Sequence, residues 1–269
     1  MGSRQESYLI IGAGVFGVST AIHLQQAKPH ALITLLDRTP FPNPSAASHD
    51  LNKIVRADYA DIFYMKLALE ALESWRHDPV YSPFYHETGM AFIETIQMGR
   101  NAVKNYKLLG ATDVKAKMLP LEDARKMWGG VFEKANWEGA EECFWNPSSG
   151  WGEAEGALRK ATLKAVESGV KYHEATVAKL KIDEESGVCS GAVTENGDSL
   201  AADYVILCTG ALTAKLLADS APKNEKLQVG GRLVAAGAVS CTARVNPELR
   251  GNFENAPVFF NGMAHTHGK

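Results

Sequence analysis

No apolar run in this chain approaches the ~20 residues that cross a bilayer as a helix, so no membrane partner is expected. Cysteine is scarce. Cys143, Cys189, Cys208 and Cys241 stand far apart, and no C-x-x-C occurs. Neither a zinc frame nor a disulfide framework is suggested, so no metal ligands are expected and the chain reads as intracellular and reduced. Positive charge is not in excess: the formal net charge is -3, and no basic surface asks for nucleic acid. There is no internal repeat and no low-complexity tract. A basic lead is missing before the first apolar stretch, which is short and broken by glycine. It reads as a strand rather than a signal peptide. The ending His-Gly-Lys is not an S-K-L address. The expected location is the cytoplasm or the peroxisome.

What is present suits one or two globular domains with a real core: 269 residues, 45% hydrophobic and 22% charged. The chain is organised around Tyr8 to Asp37. Tyr8 to Ile11 is a short apolar run that reads as a buried strand. Gly12, Gly14 and Gly17 follow as G-x-G-x-x-G, and Val15 to Ala27 has near-helical apolar spacing. A second apolar run, Ala31 to Leu36, ends in Asp37. This is the β-α-β setting of a dinucleotide site. Gly12 allows the tight turn, Gly14 lets a pyrophosphate approach the backbone, and Gly17 lets the helix lie close on the strand. The helix N-terminus offers free N–H groups to phosphate. Asp37 can accept from ribose hydroxyls, and its charge disfavours a 2′-phosphate and hence NADP. The motif alone does not separate FAD from NAD.

Further along, 39–48 (TPFPNPSAAS) is a loop, leading into HDLNKIVRADY at 49–59. Asp61 to Arg76 is a helix, with Ile62, Met65, Leu69, Leu72 and Trp75 on a packing stripe. Tyr85 to Ile96 is read as one strand of a different layer, and Lys104 to Met127 as helical, with a helix start near Pro120. The NPSSGWG turn at 146–152 marks re-entry into the cofactor domain, followed by a helix over Glu153 to Ser168. One or two strands fall in Val170 to Ile182. Gly187 to Thr194 pairs with Ser199 to Ala202, and Asp203 to Cys208 is a second buried strand. Arg232 to Cys241 and Val258 to Phe260 are read as strands. The cofactor domain is therefore expected over 7–80 and 150–220, with 81–149 and 221–269 forming a second domain.

The GAGVFG turn, SAASHDLNKIVR, YHETG, NPSSGWG and YVILCTGA together resemble FAD-dependent amine oxidoreductases. These are the sarcosine oxidase, fructosyl amino acid oxidase (amadoriase) and saccharopine oxidase group, including fungal secondary-metabolism relatives. The D-x-N-K piece, Asp50 to Lys53, is the most specific element. The resemblance implies an α/β fold: a Rossmann-type FAD-binding domain of the D-amino-acid-oxidase-like (GR2) kind, with an interleaved α+β substrate domain.

The resemblance also implies FAD as cofactor. Gly12, Gly14, Val15 and Phe16 would line the pyrophosphate. Asp37 and Arg38 would meet the adenosine ribose, and Val177 would hold the adenine through its backbone. Gly210 would let the chain pass close to the cofactor, while Ser48 and Asn52 would contact the flavin end. Lys53 would assist the reaction with oxygen, and Arg56 would hold a substrate carboxylate. The implied activity is oxidation of the C–N bond of a secondary amine or N-substituted amino acid, with O2 as acceptor and H2O2 as product. A flavin is needed because no side chain accepts a hydride. A monomer is expected, with a small-molecule amine and O2 as partners.

Read from the residues alone, Lys53 and Arg56 are either this site or a solvated basic surface. His49 either acts on the amine or caps a turn. His86 and His173 read as strand-surface residues. Trp145 and Trp151 either wall a pocket or pack. Family members continue past this point, and none of the four cysteines stands where a flavin-bound cysteine would. After PVFFN the ending GMAHTHGK departs from the family. The corresponding expectation is a shortened chain that binds FAD poorly and does not turn over; the rival of the oxidase reading is a catalytically inactive nucleotide-binding fragment. An NAD dehydrogenase is a third reading.

Overall fold

A computed structural model describes residues 4–94, 98–111, 113–237 and 241–262. In chain order the elements are β1 (Ser7–Ile11), α1 (Val15–Ala27), β2 (Leu32–Asp37), β3 (Lys53–Val55), α2 (Ile62–His77), β4 (Tyr85–His86) and β5 (Met90–Glu94). Next come α3 (Met98–Leu108), β6 (Lys117–Pro120), α4 (Leu121–Lys126), β7 (Glu142–Asn146), β8 (Gly150–Gly152) and α5 (Ala154–Glu167). The remainder is β9 (Lys171–Glu174), β10 (Val177–Ile182), β11 (Cys189–Thr194), β12 (Ser199–Ala201), β13 (Tyr204–Leu207), α6 (Thr213–Ser220), α7 (Arg250–Phe253) and β14 (Val258–Asn261). The chain divides into two compact units, Met1–Leu51 with Ala154–Ser240 and Asn52–Glu153 with Cys241–Lys269.

The first unit is built on a parallel sheet in the order β13-β1-β2-β9. β1 is an inner strand whose residues Tyr8–Ile11 are all buried, with Leu9 and Ile11 packed against Leu180 and Ala192, so its sequence is apolar without alternation. Ile10 pairs with Leu35, and neither reaches solvent. Burying such side chains contributes roughly 1.5–3 kcal/mol each. α1 buries Gly17, Val18, Ala21 and Ile22 and packs against α5, whose buried face is mostly small: Ala154, Ala157, Ala161 and Ala165. A smaller antiparallel sheet, β10-β11-β12, carries Leu180 and Ala192 into a cluster with Leu9, Ile11, Leu36 and Leu216.

The second unit holds a mixed sheet in the order β14-β5-β7-β6 and an antiparallel sheet in the order β3-β8-β4. Asp61 caps α2, its side chain accepting from the Phe63 N–H at 2.8 Å. Met65 and Leu72 of α2 are buried in a cluster with Met90, Phe92, Tyr106 and Phe144. That packing places α2 in this unit, and the units divide at Leu51/Asn52, Glu153/Ala154 and Ser240/Cys241 where 80/81, 149/150 and 220/221 were expected.

Three element expectations are corrected. Tyr85 to Glu94 is two strands in different sheets, because the Gly89 N–H turns away to the Ser149 carbonyl at 2.7 Å; Ile96 lies outside the described residues. Lys104 to Met127 is not one helix. α3 ends at Leu108, and Lys117–Pro120 extends to pair with β7, burying Leu119 against Cys143. Tertiary pairing overrides the local helical pattern there. Residues 232–237 and Cys241 form no strand, and they are exposed; 238–240 lie outside the described residues. β13 is also less buried than expected, with Tyr204 at 49% exposure, because it is an edge strand. The unusual ending at 263–269 lies outside the described residues.

Candidate functional site

The glycine motif is the turn between β1 and α1, and its shape follows from contact with backbone. Gly12 has φ +104°, a conformation L side chains rarely adopt. A Cβ there would stand 2.3 Å from the Cys208 carbonyl oxygen. The Gly12 N–H donates to Leu36 O at 2.7 Å, and the Cys208 N–H to Ile11 O at 2.7 Å. The turn is thus sewn to both neighbouring strands. At Gly17 a Cβ would meet the Gly12 carbonyl oxygen at 1.8 Å, so the helix can press onto the strand only without a side chain. Gly14 caps α1 without a side-chain bond, and Val15 and Phe16 on the first turn are exposed, Phe16 at 78%. The Val15 N–H donates to Ser48 Oγ at 2.8 Å. Ser48, expected at the flavin end, therefore sits at the helix N-terminus, over the place where a Gly14 Cβ would stand 3.0 Å away.

Asp37 is buried at the end of β2. Its Oδ2 accepts from the Ala13 N–H, and its Oδ1 from the Arg38 N–H and Asn43 Nδ2, each at 2.7 Å. The Arg38 side chain is exposed. Glu174 of β9 is the register partner of Asp37, and the Ala175 N–H donates to the Asp37 carbonyl at 2.8 Å. Val177, at the start of β10, packs against the cluster that holds Leu9, Ile11 and Leu36. Burial first, then the charges of Asp37 and Glu174, push the Tyr172 phenol well above its usual range. Gly210 follows β13 with φ +53°, and a Cβ there would meet nothing within 4 Å. Within the first unit the structure thus brings together Gly12, Gly14, Val15, Asp37, Arg38 and Ser48.

Asn52, Lys53 and Arg56 belong to the second unit. Asn52 and Lys53 are exposed, with Lys53 opening β3 opposite Gly152. Arg56 is half-buried, donates from Nη1 to the Asp58 carbonyl, and lies 4.5 Å over the Tyr59 ring. One of its five donors is assigned to Asp58, so the planar fork keeps capacity for a carboxylate. Behind it lies a group that the sequence did not announce. The Asp58 carboxylate is fully buried and accepts from Tyr106 OH at 2.8 Å, Asn146 Nδ2 at 2.7 Å and Ser149 Oγ at 2.7 Å. Burial first, then the Asp58 charge, push the Tyr106 phenol far up.

The other singled-out residues fall as follows. His49 Nε2 lies 3.6 Å from Glu155 Oε2. His86 is a partly exposed strand residue on β4, as expected; its Nε2 is 2.8 Å from Glu153 Oε1, and its ring stacks on Trp151 at 4.1 Å. Trp145 packs on Trp128 at 5.0 Å. Among the described residues no group of three or more His, Cys, Asp or Glu is placed to hold a metal ion. No described helix is long and apolar enough to cross a membrane.

Comparison with known proteins gives a family match over residues 7–263 to the DAO model, described as FAD dependent oxidoreductase. The chain is similar to L-saccharopine oxidase from Schizosaccharomyces pombe, 31% identical over 94% of this chain and 59% of that protein. It is similar to the amino acid oxidase imqH from Aspergillus flavus, 29% identical over 79% of this chain and 53% of that protein. Among solved structures it resembles the deglycating fructosamine oxidase (Amadoriase II) from Aspergillus fumigatus with TM-score 0.72. That likeness carries 26% identity and covers 97% of this chain and 59% of that one. The chain spans between half and three-fifths of the length of these relatives.

Proposed function

Because the chain belongs to the FAD dependent oxidoreductase family, we propose that it serves oxidation of the C–N bond of an N-substituted amino acid, with O2 as acceptor and H2O2 as product. The observation that carries this reading is the backbone-sewn glycine turn with Asp37 beside it, in a chain matched to that family over 7–263.

The residues present fit the cofactor. The first turn of α1 is exposed at Phe16 and takes no cap from Gly14; the Val15 N–H donates to Ser48 Oγ, a hydroxyl that can rotate to donate to a diphosphate seated at this helix N-terminus. Asp37 has three donors on a carboxylate with about four acceptor positions, which leaves room for a ribose hydroxyl. Gly12, Gly14, Val15 and Phe16 are assigned to the diphosphate, Asp37 and Arg38 to the ribose, Val177 to the adenine, and Ser48, Asn52 and Gly210 to the cofactor's remaining contacts. Bound FAD supplies the two-electron acceptance that side chains lack.

The chain's own residues supply charge and orientation. Arg56 is assigned to the substrate carboxylate, since a guanidinium binds both oxygens at once. Lys53 is assigned to the oxygen step, where a compact ammonium stabilises negative charge arising on oxygen as it is reduced. The amine reacts neutral, because its lone pair assists loss of hydride from the adjacent carbon. The similarity to saccharopine, amino acid and fructosamine oxidases supports a substrate among amino-acid-derived amines.

A second reading rests on the nucleotide-side residues Gly12, Asp37 and Ser48 lying together in the first unit: that the chain holds an adenine nucleotide without turnover. One preparation separates the two. The purified protein is passed through gel filtration, its flavin absorbance is recorded, and a panel of N-substituted amino acids is read out as peroxide. Retained flavin with amine-dependent peroxide supports the oxidase. Binding of ADP-ribose with no flavin and no peroxide supports the second reading.

A further inference from the structure

We propose that Asn43 is the positioning residue that aims Asp37 at the adenosine ribose, an inference resting on the nucleotide site assigned to the first unit. Asn43 lies in the turn-rich loop after β2, flanked by Pro42 and Pro44, and is 3% exposed. Pro44 pre-sets the turn, closed by the Ala46 N–H donating to Asn43 O at 3.1 Å. Asn43 Oδ1 accepts from the Ser45 N–H at 2.9 Å and from Ser45 Oγ at 2.8 Å. With the oxygen so engaged, the amide nitrogen faces Asp37 Oδ1 at 2.7 Å. The opposite amide orientation would set an oxygen against a carboxylate and leave Ser45 facing an NH2 group, so the network has one assignment.

Asn43 therefore does two things to Asp37. It shares Oδ1 with the Arg38 N–H, which fills that oxygen. It also fixes the carboxylate plane, so that Oδ2, holding the Ala13 N–H, keeps one acceptor position. An acceptor with one open position suits a single hydroxyl. A 2′-phosphate brings no donor and meets a buried negative charge, so it is rejected. Among the described residues no other side chain donates to Asp37, so Asn43 is the side chain that, with the Arg38 and Ala13 N–H groups, resists rotation of the carboxylate.

The test measures binding of ADP and of 2′-deoxy-ADP to the full chain by calorimetry, in the native protein and in two variants. The native protein is expected to bind the deoxy nucleotide about tenfold or more weakly, the value of a hydroxyl donating to a carboxylate. In Asn43→Ala the penalty is expected to shrink to about twofold or less, because Asp37 is no longer aimed. Asn43→Asp keeps the size of the side chain. Near neutral pH it sets a second carboxylate on Asp37 and abolishes the penalty. On acidification the pair takes up a proton, the hydrogen bond returns, and the penalty returns with it. A residue that merely braced the loop would weaken both nucleotides alike. An unchanged deoxy penalty in a folded variant overturns this inference while leaving the nucleotide site standing. Absence of ADP binding to the native protein overturns both.

Discussion

The Tyr106 hydroxyl lies 2.8 Å from Asp58 Oδ1, and the two residues are 3% and 0% exposed. Asn146 and Ser149 supply the other side-chain donors, so this anion is held by neutral groups. Tyr106→Phe therefore leaves a buried carboxylate short of one bond, a loss of about 1.5–3 kcal/mol. The urea midpoint of the variant should fall accordingly. A variant as stable as the parent would mean that the Asn146 and Ser149 donors suffice to hold the Asp58 carboxylate.

Alkaline pH should destabilise the protein through buried acids held neutral. Burial pushes the Cys143 thiol from 9.0 up to about 11, and pushes the Tyr106 phenol above its ordinary 10.0. The folded state keeps both protons, so the unfolded chain ionises first. This part of the stability is whole below about pH 9 and is lost as pH rises toward about 11. For Cys143 it is on the order of 2 kcal/mol. Urea midpoints measured from neutral pH upward should hold and then decline across that window. A thiol reagent near neutral pH should label exposed Cys241 and spare Cys143 until the chain unfolds.

Two glycines with positive φ should answer differently to alanine. At Gly12 the new Cβ meets the Cys208 carbonyl oxygen at 2.3 Å, and at Gly210 it meets nothing within 4 Å. Gly210→Ala carries the conformational term alone, about 1–2 kcal/mol. Gly12→Ala adds a clash with backbone that has no rotamer to yield, about 3 kcal/mol or more in all. Thermal unfolding should rank them so. Gly12→Ala should also lose ADP binding, since relief of the clash moves the turn. Equal effects would mean that the β13 end yields freely.

The contrast between these positions and Asp58 explains what the sequence could and could not disclose. β1, α1 and β2 were legible because strand, glycine turn and helix are local patterns, and β14 was legible as an apolar run. The register of β6 was not. Lys117–Pro120 is extended only because β7 pairs with it. The Asp58 cluster joins residues up to 91 positions apart, and no local spacing marks a buried hydrogen bond of that kind. Asn43 is only six residues from Asp37, yet in FPNPS it reads as one more turn former. Its amide acquires meaning only once the loop is seen to fold back on the strand end.

The two basic residues of the second unit should separate kinetically. Lys53→Met removes charge while keeping length. If Lys53 serves the oxygen step, reduction by amine should persist while reoxidation by O2 slows by about a hundredfold or more, the scale of losing one fixed charge stabiliser. Arg56→Lys keeps charge and loses the planar fork. Its effect should appear as weaker amine binding, about tenfold or more, with oxygen reactivity unchanged. Rapid mixing with amine under nitrogen, then of reduced protein with oxygen, reads the two half-reactions apart. Arg56 also donates to the Asp58 carbonyl and covers the Tyr59 ring, so its variant needs an unfolding curve alongside. Weakened amine binding at parental stability assigns the carboxylate to Arg56, whereas lost stability with intact binding makes it a brace for the segment around Asp58.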